Sequence, residues 1–430
     1  MSNFDAELTI AEIGAKGDGI AKLEGGKRVF VPFTAAGDRV RVRVGKSAAA
    51  GDSMQARLVE VLEPGPGRGK AVCKHFTVCG GCALQHLTPE AYDAWKLELV
   101  RAALDREGVE NVALRPLLKS PPGSRRRADF TAVRRKDDVI LGFNGRASNQ
   151  VVDLLECPVT MPSIVALLPG LRALLMDVLP LAAHAEIVVN ALTHGLDVLV
   201  TTTAELAKHH ERLARFAREA GLVRLSRAHP KSRQGEIVVA LRPATVRFGA
   251  VEIAVPPATF LQATREGEAA LAKLVVEACA GSRRIADLYA GCGTFTFSLA
   301  GAAPKSVKLH AVEFDESMID SLRAAARAAM LPNVGVELRN LDRKPLATNE
   351  LNHYDAVVFD PPRAGARAQA EALAQSRVST VVAVSCNPVS FARDALILIE
   401  GGYWLEFVQP VDQFLWSPHL ELVGVFHRGR

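Results

Sequence analysis

The chain has 430 residues, of which 49% are hydrophobic and 23% are charged, and its formal net charge is +5. A chain of this length is longer than a domain with a single hydrophobic core usually is, so two or three domains are expected. The composition excludes a disordered tail. No apolar run reaches the ~18 clean residues of a membrane span, and the excess of Lys and Arg suits a polyanionic partner.

The amino terminus, MSNFDAELTI, lacks the basic start and apolar core of a secretory signal. A cytoplasmic protein without membrane association is therefore expected, and no feature indicates an obligate protein partner. In that compartment, seven cysteines favour metal or catalytic roles over a disulfide framework.

Residues 1–65 are predicted to form a small β-barrel. Short runs such as RVFVPF (28–33) and RVRVRV (39–44) alternate in character between turns rich in Gly and Asp. Residues 63–70, EPGPGRGK, follow as a linker, which places a domain boundary near residue 70.

Residues 71–255 show mixed strand and helix signals and predict a central α+β domain. They begin with Cys73, Cys79 and Cys82 at C-x5-C-x2-C spacing, and Cys157 can complete a set of four thiolates. A tetrahedral zinc ion and a cubane iron–sulfur cluster both accept four thiolates, so the spacing leaves both open.

Two basic stretches lie in the same region. Arg125 to Arg127 run together, and Arg134, Arg135 and Lys136 follow within ten residues. They predict contacts to nucleic-acid phosphates, and the alternative is a solvated strand pair with long side chains.

Residues 256–430 alternate apolar strands with alanine-rich helical stretches. The predicted strands are 284–289, 308–313, 354–360 and 380–385, with a helix over 316–330. This alternation predicts a doubly wound, Rossmann-like parallel sheet whose ligands gather at the carboxyl ends of the strands.

The motifs at those strand ends indicate a nucleoside-containing ligand. Gly291 and Gly293 form a Gly-x-Gly turn that opens a helix, and Glu313 ends the next strand, where a carboxylate can bind ribose hydroxyls. Because the turn has neither a Walker lysine nor the third glycine of the dinucleotide fingerprint, S-adenosylmethionine is favoured.

A cysteine and an aspartate end two further strands. Residues 381–385 predict a buried strand that delivers Cys386 to its tip before Pro388 ends it, although an isolated buried cysteine is usually a packing residue. Asp360-Pro361-Pro362-Arg363 forms a stiff turn, and an arginine after the two prolines points away from amine methylation.

The ordered set LYAGCGTFT, AVEFDESM, VVFDPPRAG, AVSCNPVSFARD and VDQFLWSPHLELV resembles the RNA 5-methyluridine methyltransferase family, of the RumA and TrmA type. The resemblance covers essentially the whole chain, since residues 1–62 resemble a TRAM domain, an OB-like RNA-binding barrel. It implies a class I enzyme that transfers a methyl group from S-adenosylmethionine to carbon 5 of a uridine.

The resemblance also implies the roles of two residues. Cys386 is the expected nucleophile, adding to carbon 6 of uracil so that carbon 5 becomes electron-rich. Glu421 is the expected general base for the proton on carbon 5. On its own, the alternating LELVGVF run predicts a half-buried strand with Glu421 as an ordinary surface glutamate.

The implied cofactor contacts extend beyond the glycine turn of Gly291 and Gly293. By resemblance they include Gln262, Tyr289, Thr294, Glu313, Asn340 and Asp360. Relatives often have an aspartate near the adenine where this chain has Asn340, and Asp342 is the alternative contact.

For Cys73, Cys79, Cys82 and Cys157, the resemblance implies a four-iron, four-sulfur cluster, with zinc as the lesser alternative. A structural role for the cluster is expected, while Cys279 and Cys292 are expected to be packing residues.

The TRAM domain and the cysteine motif together resemble the ribosomal RNA enzymes, which implies 23S rRNA as the substrate. The alternatives are the T-loop uridine of tRNA, or a non-catalytic RNA-binding or assembly protein. The presence of both Cys386 and Glu421 favours an enzyme over a pure binding protein.

Overall fold

The structure is a computed structural model that describes residues 4–45, 53–232 and 235–429. The predicted ranges 1–65, 71–255 and 256–430 therefore contain residues 1–3, 46–52, 233–234 and 430, which lie outside the described part of the chain.

The N-terminal region is a six-stranded sheet. Its strands are β1 (Phe4–Thr9), β2 (Glu12–Ile13), β3 (Gly19–Lys22), β4 (Arg28–Val31), β5 (Arg39–Val44) and β6 (Ser53–Glu63), in the order β1-β5-β6-β4-β3-β2. Strand β5 alternates as predicted, with Val40, Val42 and Val44 buried in a shared core. β1 and β3 contact each other, so the sheet curls around that core.

The predicted linker contains no helix and no named strand beyond Glu63, yet it is packed against this barrel. The carboxylate of Asp38 accepts a hydrogen bond from Gly65 N at 2.8 Å and pairs with the Arg68 guanidinium. A side chain at Gly65 would overlap the carbonyl oxygen of Ala36. Residues 63–70 therefore fix the barrel to the rest of the chain.

The next two elements are helix α1 (Pro89–Glu107) and the short strand β7 (Leu118–Lys119). The Thr88 side chain caps the helix by accepting from Ala91 N, and Gly108 ends it with a φ of 77°. Both elements pack against the C-terminal part of the chain.

The central region is a seven-stranded sheet with two α-helices and a 3₁₀ turn (Leu206–His209). The strands are β8 (Arg127–Arg134), β9 (Val139–Asn144), β10 (Val151–Asp153), β11 (His184–Leu192), β12 (Gly195–Thr202), β13 (Arg224–Ala228) and β14 (Glu236–Ala240), and the helices are α2 (Pro162–Val178) and α3 (His210–Glu219). The order is β10-β9-β8-β11-β12-β13-β14, and only β12 and β13 pair in parallel.

The C-terminal region begins with the hairpin β15 (Thr245–Phe248) and β16 (Val251–Ala254). Its strands are β17 (Arg284–Leu288), β18 (Lys308–Glu313), β19 (Val334–Leu338), β20 (Ala356–Phe359), β21 (Thr380–Ser385), β22 (Tyr403–Asp412) and β23 (Glu421–Arg428). Its helices are α4 (Arg265–Ala278), α5 (Thr294–Ala302), α6 (Glu316–Ala328), α7 (Thr348–Leu351), α8 (Arg367–Ala374) and α9 (Pro388–Glu400).

These strands form one sheet in the order β19-β18-β17-β20-β21-β23-β22-β7. The first five strands in this order, β19, β18, β17, β20 and β21, run parallel to one another. β23 runs antiparallel to both of its neighbours. The predicted doubly wound sheet is confirmed. From β17 the sheet is extended in one direction by β18 and β19 and in the other by β20 and β21. The direction changes between β17 and β20, which places the ligand crevice at the carboxyl ends of those two strands.

Three elements of the predicted 71–255 range pack with the C-terminal region, namely β7, α1 and the β15–β16 hairpin. β7 extends it by pairing with β22, and the apolar face of α1, including Val100 and Leu104, joins the same core as α9 and β23. The β15–β16 hairpin packs on α6 through Ile253 and Ile319. The core of the C-terminal region therefore reaches well beyond residues 256–430.

The prediction of a half-buried strand for LELVGVF is wrong. β23 lies between β21 and β22, so residues 421–426 are all buried. In a strand paired on both sides and covered on both faces, alternation in sequence no longer means alternation in exposure.

No helix in the described ranges has the length and apolar character needed to cross a membrane.

Candidate active site

The glycine turn after β17 has the backbone geometry that its sequence predicts. Tyr289, Gly291 and Gly293 have φ values of 60°, 54° and 93°. A side chain at Gly293 would collide with Phe297 and Leu322, whereas the position of a Cβ on Gly291 faces open space. The turn thus leaves clear space beside the N-terminus of α5, whose first residue is Thr294.

The carboxylate of Glu313, at the end of β18, closes the other side of this turn. It accepts hydrogen bonds from the backbone N–H groups of Gly291, Phe314 and Asp315 at 2.8, 2.7 and 2.9 Å. These bonds orient a strand-tip carboxylate next to the glycines, as the ribose-binding prediction requires.

Asn340 and Asp342 lie in the turn after β19. The Tyr289 hydroxyl donates to Asp342 Oδ1 at 3.2 Å, and burial together with this aspartate raises the pKa of Tyr289. Asn340 Oδ1 accepts from Arg343 N at 3.1 Å. The contact with the glycine turn is therefore made by Asp342, while the Asn340 side chain caps its own turn.

Two carboxyl groups come together where β20 ends and β23 begins. Gln262 Nε2 donates to Asp360 Oδ2 at 3.1 Å, and Glu421, 4% exposed, lies close enough for the two acids to repel each other. Burial raises the pKa of both acids, and the proximity of Asp360 raises that of Glu421 further.

Cys386 faces the same acids. Ser385 pairs with Leu422 in the antiparallel register of β21 and β23. Cys386 follows Ser385 and Glu421 precedes Leu422, and the two are close enough for the Glu421 charge to act on the thiol. Burial, Glu421 and Asp360 raise the pKa of the Cys386 thiol to about 11, and Arg363 opposes them. The thiol is therefore protonated at neutral pH in the free protein.

The residues after Cys386 organise its surroundings. The strand ends at Ser385, before Pro388, which is the first residue of α9. Asn387 caps the helix by accepting from Val389 N and donates to the Arg363 carbonyl at 3.0 Å. The Ser-Cys-Asn-Pro motif is therefore hydrogen-bonded, through Asn387, to the Asp-Pro-Pro-Arg turn.

Two polar residues of the site were not anticipated from the sequence. Asp287, in β17, is buried and accepts from Thr296 Oγ1 at 2.5 Å; burial raises its pKa to about 7. The sequence did contain a signal for Asp287, because it is a charged residue in an otherwise apolar strand just before the glycine turn. Gln413 contacts Gln262 and Glu421, but its position in the sequence carries no such signal.

The prediction that Arg125 to Arg127 all contact RNA is wrong for Arg126. Arg126 is buried, pairs with Glu268 and donates to Gln262 O at 2.9 Å. Arg127 is partly buried and donates to the carbonyl of Ala258 at 3.1 Å. Both hold the segment that carries Gln262, because its carbonyls need buried donors.

The second basic stretch divides differently. Arg134 is partly buried and donates to the Met176 carbonyl, whereas Arg135 and Lys136 are exposed in the turn between β8 and β9. Of this stretch, these last two are the residues whose side chains are open to solvent.

The four predicted metal ligands line one cavity of about 390 Å³ in the central region, namely Cys73, Cys79, Cys82 and Cys157. Burial and the neighbouring thiols together raise the pKa of Cys82 to about 12. In the described ranges, no group of three or more His, Cys, Asp or Glu side chains is arranged to hold a metal ion. The thiols thus surround a common space without a compact ion site.

The two remaining cysteines have no polar role. Cys279, at the end of α4, and Cys292, in the glycine turn, are both buried in hydrophobic cores. They are packing residues, as predicted.

Comparison with known proteins gives two family matches and full-length relatives. Residues 6–53 match the TRAM domain, and residues 258–429 match the family described as tRNA (Uracil-5-)-methyltransferase. An uncharacterised RNA methyltransferase of Brucella melitensis is 42% identical over 431 residues, covering 100% of this chain and 99% of the relative. The 23S rRNA (uracil(1939)-C(5))-methyltransferase RlmD of Chromohalobacter salexigens is 33% identical, covering 96% and 87%. The chain belongs to the RNA uracil-5-methyltransferase family.

A solved RNA uracil-5-methyltransferase has the same fold. The Pyrococcus abyssi tRNA (uracil-54, C5)-methyltransferase, in complex with S-adenosyl-L-homocysteine, matches with a TM-score of 0.72 at 23% identity, covering 98% of this chain and 100% of that chain. The predicted family, enzyme class and fold class are confirmed by these findings.

Proposed function

We propose that this protein methylates carbon 5 of one uridine in 23S rRNA, using S-adenosylmethionine, with Cys386 as nucleophile and Glu421 as general base. The observation that supports this most strongly is the meeting of the two residues. They lie 35 positions apart in sequence, yet neighbouring antiparallel strands set them against each other beside Asp360.

Bound S-adenosylmethionine would supply a methyl group on a positively charged sulfur. Its ribose fits the oriented carboxylate of Glu313, and its amino-acid end fits the open space at Gly291. The Oδ1 atom of Asp287 is buried without a hydrogen-bond partner in the described ranges. This oxygen, next to the glycine turn, can therefore accept a hydrogen bond from a ligand. The remaining proposed contacts are Gln262, Tyr289, Gly293, Thr294, Asn340 and Asp360.

Cys386 first loses its proton to solvent, and the thiolate attacks carbon 6 of the uracil, forming a carbon–sulfur bond. The electron pair of the 5,6 double bond moves toward the O4 carbonyl, which gives an enolate with a nucleophilic carbon 5. Carbon 5 then takes the methyl group, and it carries both the methyl group and its original proton.

Glu421 would remove that proton. Its departure lets the double bond re-form and expels the Cys386 thiolate, and transfer of the proton from Glu421 to that thiolate restores the enzyme. The Oε2 atom of Glu421 is buried and has no hydrogen-bond partner within the described chain, which leaves an oxygen free to accept a proton. A raised pKa also suits a base that works near neutral pH.

The first test compares two cysteine variants in a methyl-transfer assay on RNA. Cys386→Ala should abolish turnover and retain S-adenosylmethionine binding, because the proposed cofactor edge is formed by β17 and β18. Cys279→Ala, which changes a packing cysteine in a hydrophobic core, should remain active. Methylation by Cys386→Ala would overturn the proposed mechanism.

The choice of 23S rRNA rests on the RlmD relative and on the TRAM domain. Locating 5-methyluridine in rRNA and tRNA from a deletion strain decides it: loss from 23S rRNA supports the proposal, and loss from the tRNA T-loop supports the alternative. No loss from either RNA would favour a non-catalytic binding protein. The cytoplasmic location stays a prediction.

The barrel offers RNA a restricted basic surface. On β5, Arg39, Arg41 and Arg43 are each paired with acidic side chains of neighbouring strands. Lys22 and Arg28 face each other across β3 and β4 and are exposed. We therefore expect the β3–β4 edge, not β5, to contact phosphates.

We also propose that Cys73, Cys79, Cys82 and Cys157 hold a four-iron, four-sulfur cluster with a structural role. The fit is supported by two donors that line the thiol cavity: Arg146 Nη1 and Gln85 Nε2 are buried without hydrogen-bond partners in the described ranges. Such donors suit an anionic group larger than one ion.

Metal analysis of anaerobically purified protein tests this assignment. Iron and acid-labile sulfide in equal amounts, with broad visible absorption, are expected. A colourless protein with one zinc ion would overturn the cluster and support the zinc alternative.

A further inference from the structure

Gln413, the residue after β22, lies at the centre of the active-site polar groups. Its side chain is buried, at 2% exposed, and Nε2 donates to Gln262 Oε1 at 2.5 Å. The Glu421 carboxyl lies close enough to this amide for the amide to lower its pKa. Gln413 Oε1 accepts a long bond from Thr264 N at 3.4 Å. It thus joins the proposed base to the residue that contacts Asp360.

The direction of these bonds follows from what each group can donate. An ionised carboxylate only accepts, so Gln413 must turn its NH₂ group toward Glu421. That NH₂ group also occupies Gln262 Oε1, which leaves the NH₂ group of Gln262 facing Asp360 at 3.1 Å. Both amides are therefore fixed with their donors toward the acids.

We propose that Gln413 is a positioning residue that holds Glu421 in its proton-accepting form and fixes the orientation of the Gln262 amide. This inference rests on the proposed function, because it assigns Glu421 the role of base. Gln413 acts through Glu421 and Gln262 and is not assigned contact with the reacting atoms.

The groups around Glu421 explain why such a donor is needed. Asp360 and Cys386 both disfavour a negative charge on Glu421, and the cation Arg363 acts on the thiol. Burial and Asp360 raise the pKa of Glu421, whereas the Gln413 amide lowers it. Without that donor, protonated Glu421 would persist to higher pH.

The test measures the pH dependence of single-turnover methyl transfer for Gln413→Leu and the isosteric Gln413→Glu. Both should move the acidic limb of the profile upward by about one pH unit or more. They should also accumulate the methylated covalent adduct at neutral pH, because proton removal is slowed and the attack of Cys386 is retained.

The matched control is Gln409→Leu. Gln409 is also buried in β22, but its Nε2 donates to Pro116 O at 2.6 Å, away from the acids. This variant should keep the wild-type pH profile. If the Leu variant of Gln413 is unstable, the Glu variant retains the side-chain volume and carries the test.

The outcomes separate this inference from the function on which it rests. If wild-type protein methylates RNA and both Gln413 variants keep its pH profile, or lose activity equally at every pH without adduct, the positioning role is overturned. If the wild-type protein forms neither methylated RNA nor adduct with any RNA, the proposed function itself fails.

Discussion

The chemistry of Cys386 depends on the charges around it. Burial and two carboxyl groups keep the thiol protonated near neutral pH, and Arg363 is the cation that opposes them. A thiol in this state reacts little with solvent electrophiles, since the thiolate is the nucleophile. The proposed nucleophile is therefore unreactive in the free protein.

This arrangement predicts how the alkylation rate of Cys386 responds to its neighbours. Glu421→Gln removes a negative charge and should lower the thiol pKa. The iodoacetamide reaction at pH 8 should then become faster, by roughly tenfold if the pKa falls by about one. Arg363→Met should slow the reaction. Mass spectrometry of the Cys386 peptide measures both, and equal rates in the two variants would contradict the electrostatic account.

The sequence predicts the position of site residues that lie within motifs. It does not predict contacts between residues that are far apart in the chain. Cys386, Glu313 and Asp360 follow or end predicted strands, so their meeting at one sheet edge was predictable. Arg126 looked like an RNA contact because charge runs are usually exposed. Its burial results from pairing with Glu268, 142 residues away, which no local pattern contains.

Among the elements, α1 holds the loop that precedes β23. Lys96 is fully buried and contacts Asp412 Oδ1 at 3.1 Å and the His419 carbonyl, and Tyr92 donates to Asp412 Oδ2 at 2.6 Å. Both ends of the loop leading to Glu421 are thereby bonded to one helix. The sequence predicted no such contact, because α1 lies more than 300 residues earlier.

Lys96→Met should lower the free energy of unfolding by about 3 kcal/mol or more, because it leaves Asp412 buried without its cation. Lys119→Met, which removes the more exposed pair with Asp93 beside the same helix, should cost less than about 1 kcal/mol. Urea denaturation measures both values. A Lys96 variant as stable as the Lys119 variant would show that the buried pair does not hold this loop.

Over the whole molecule, hydrogen bonds join the segment after Cys82, the N-terminal barrel and the loop that precedes β23. Ala83 N and Leu84 N, just after Cys82, donate to the Trp416 carbonyl at 2.8 and 3.1 Å. Trp95 of α1 donates to Ile13 O in the barrel at 3.2 Å. The three regions therefore form a continuous structure, although their sequences predict separate domains joined by a linker.

Asp38 should make the attachment of the barrel sensitive to acid. Burial opposes its ionisation, but hydrogen bonds from Arg68, Gly65 and Ala35 outweigh burial and lower the pKa of this carboxyl. A lowered folded-state pKa gives stability above the unfolded value of about 3.9, and that stability is lost as pH falls through the folded value.

Asp38→Asn should therefore lower the melting temperature at pH 7, and the difference from wild type should shrink toward about pH 3. Differential scanning calorimetry at both pH values measures it. A difference that stays constant with pH would contradict a role for the ionised carboxylate.

The central claim is that Cys386 and Glu421 act on one uracil ring from adjoining strands. Its most direct test is incubation of Glu421→Gln protein with S-adenosylmethionine and substrate RNA, followed by a denaturing gel. We predict a slow-migrating protein–RNA adduct that contains the transferred methyl group and disappears when Cys386→Ala is added to the same chain. An adduct that persists without Cys386, or no adduct while the wild-type enzyme methylates the same RNA, would contradict the claim.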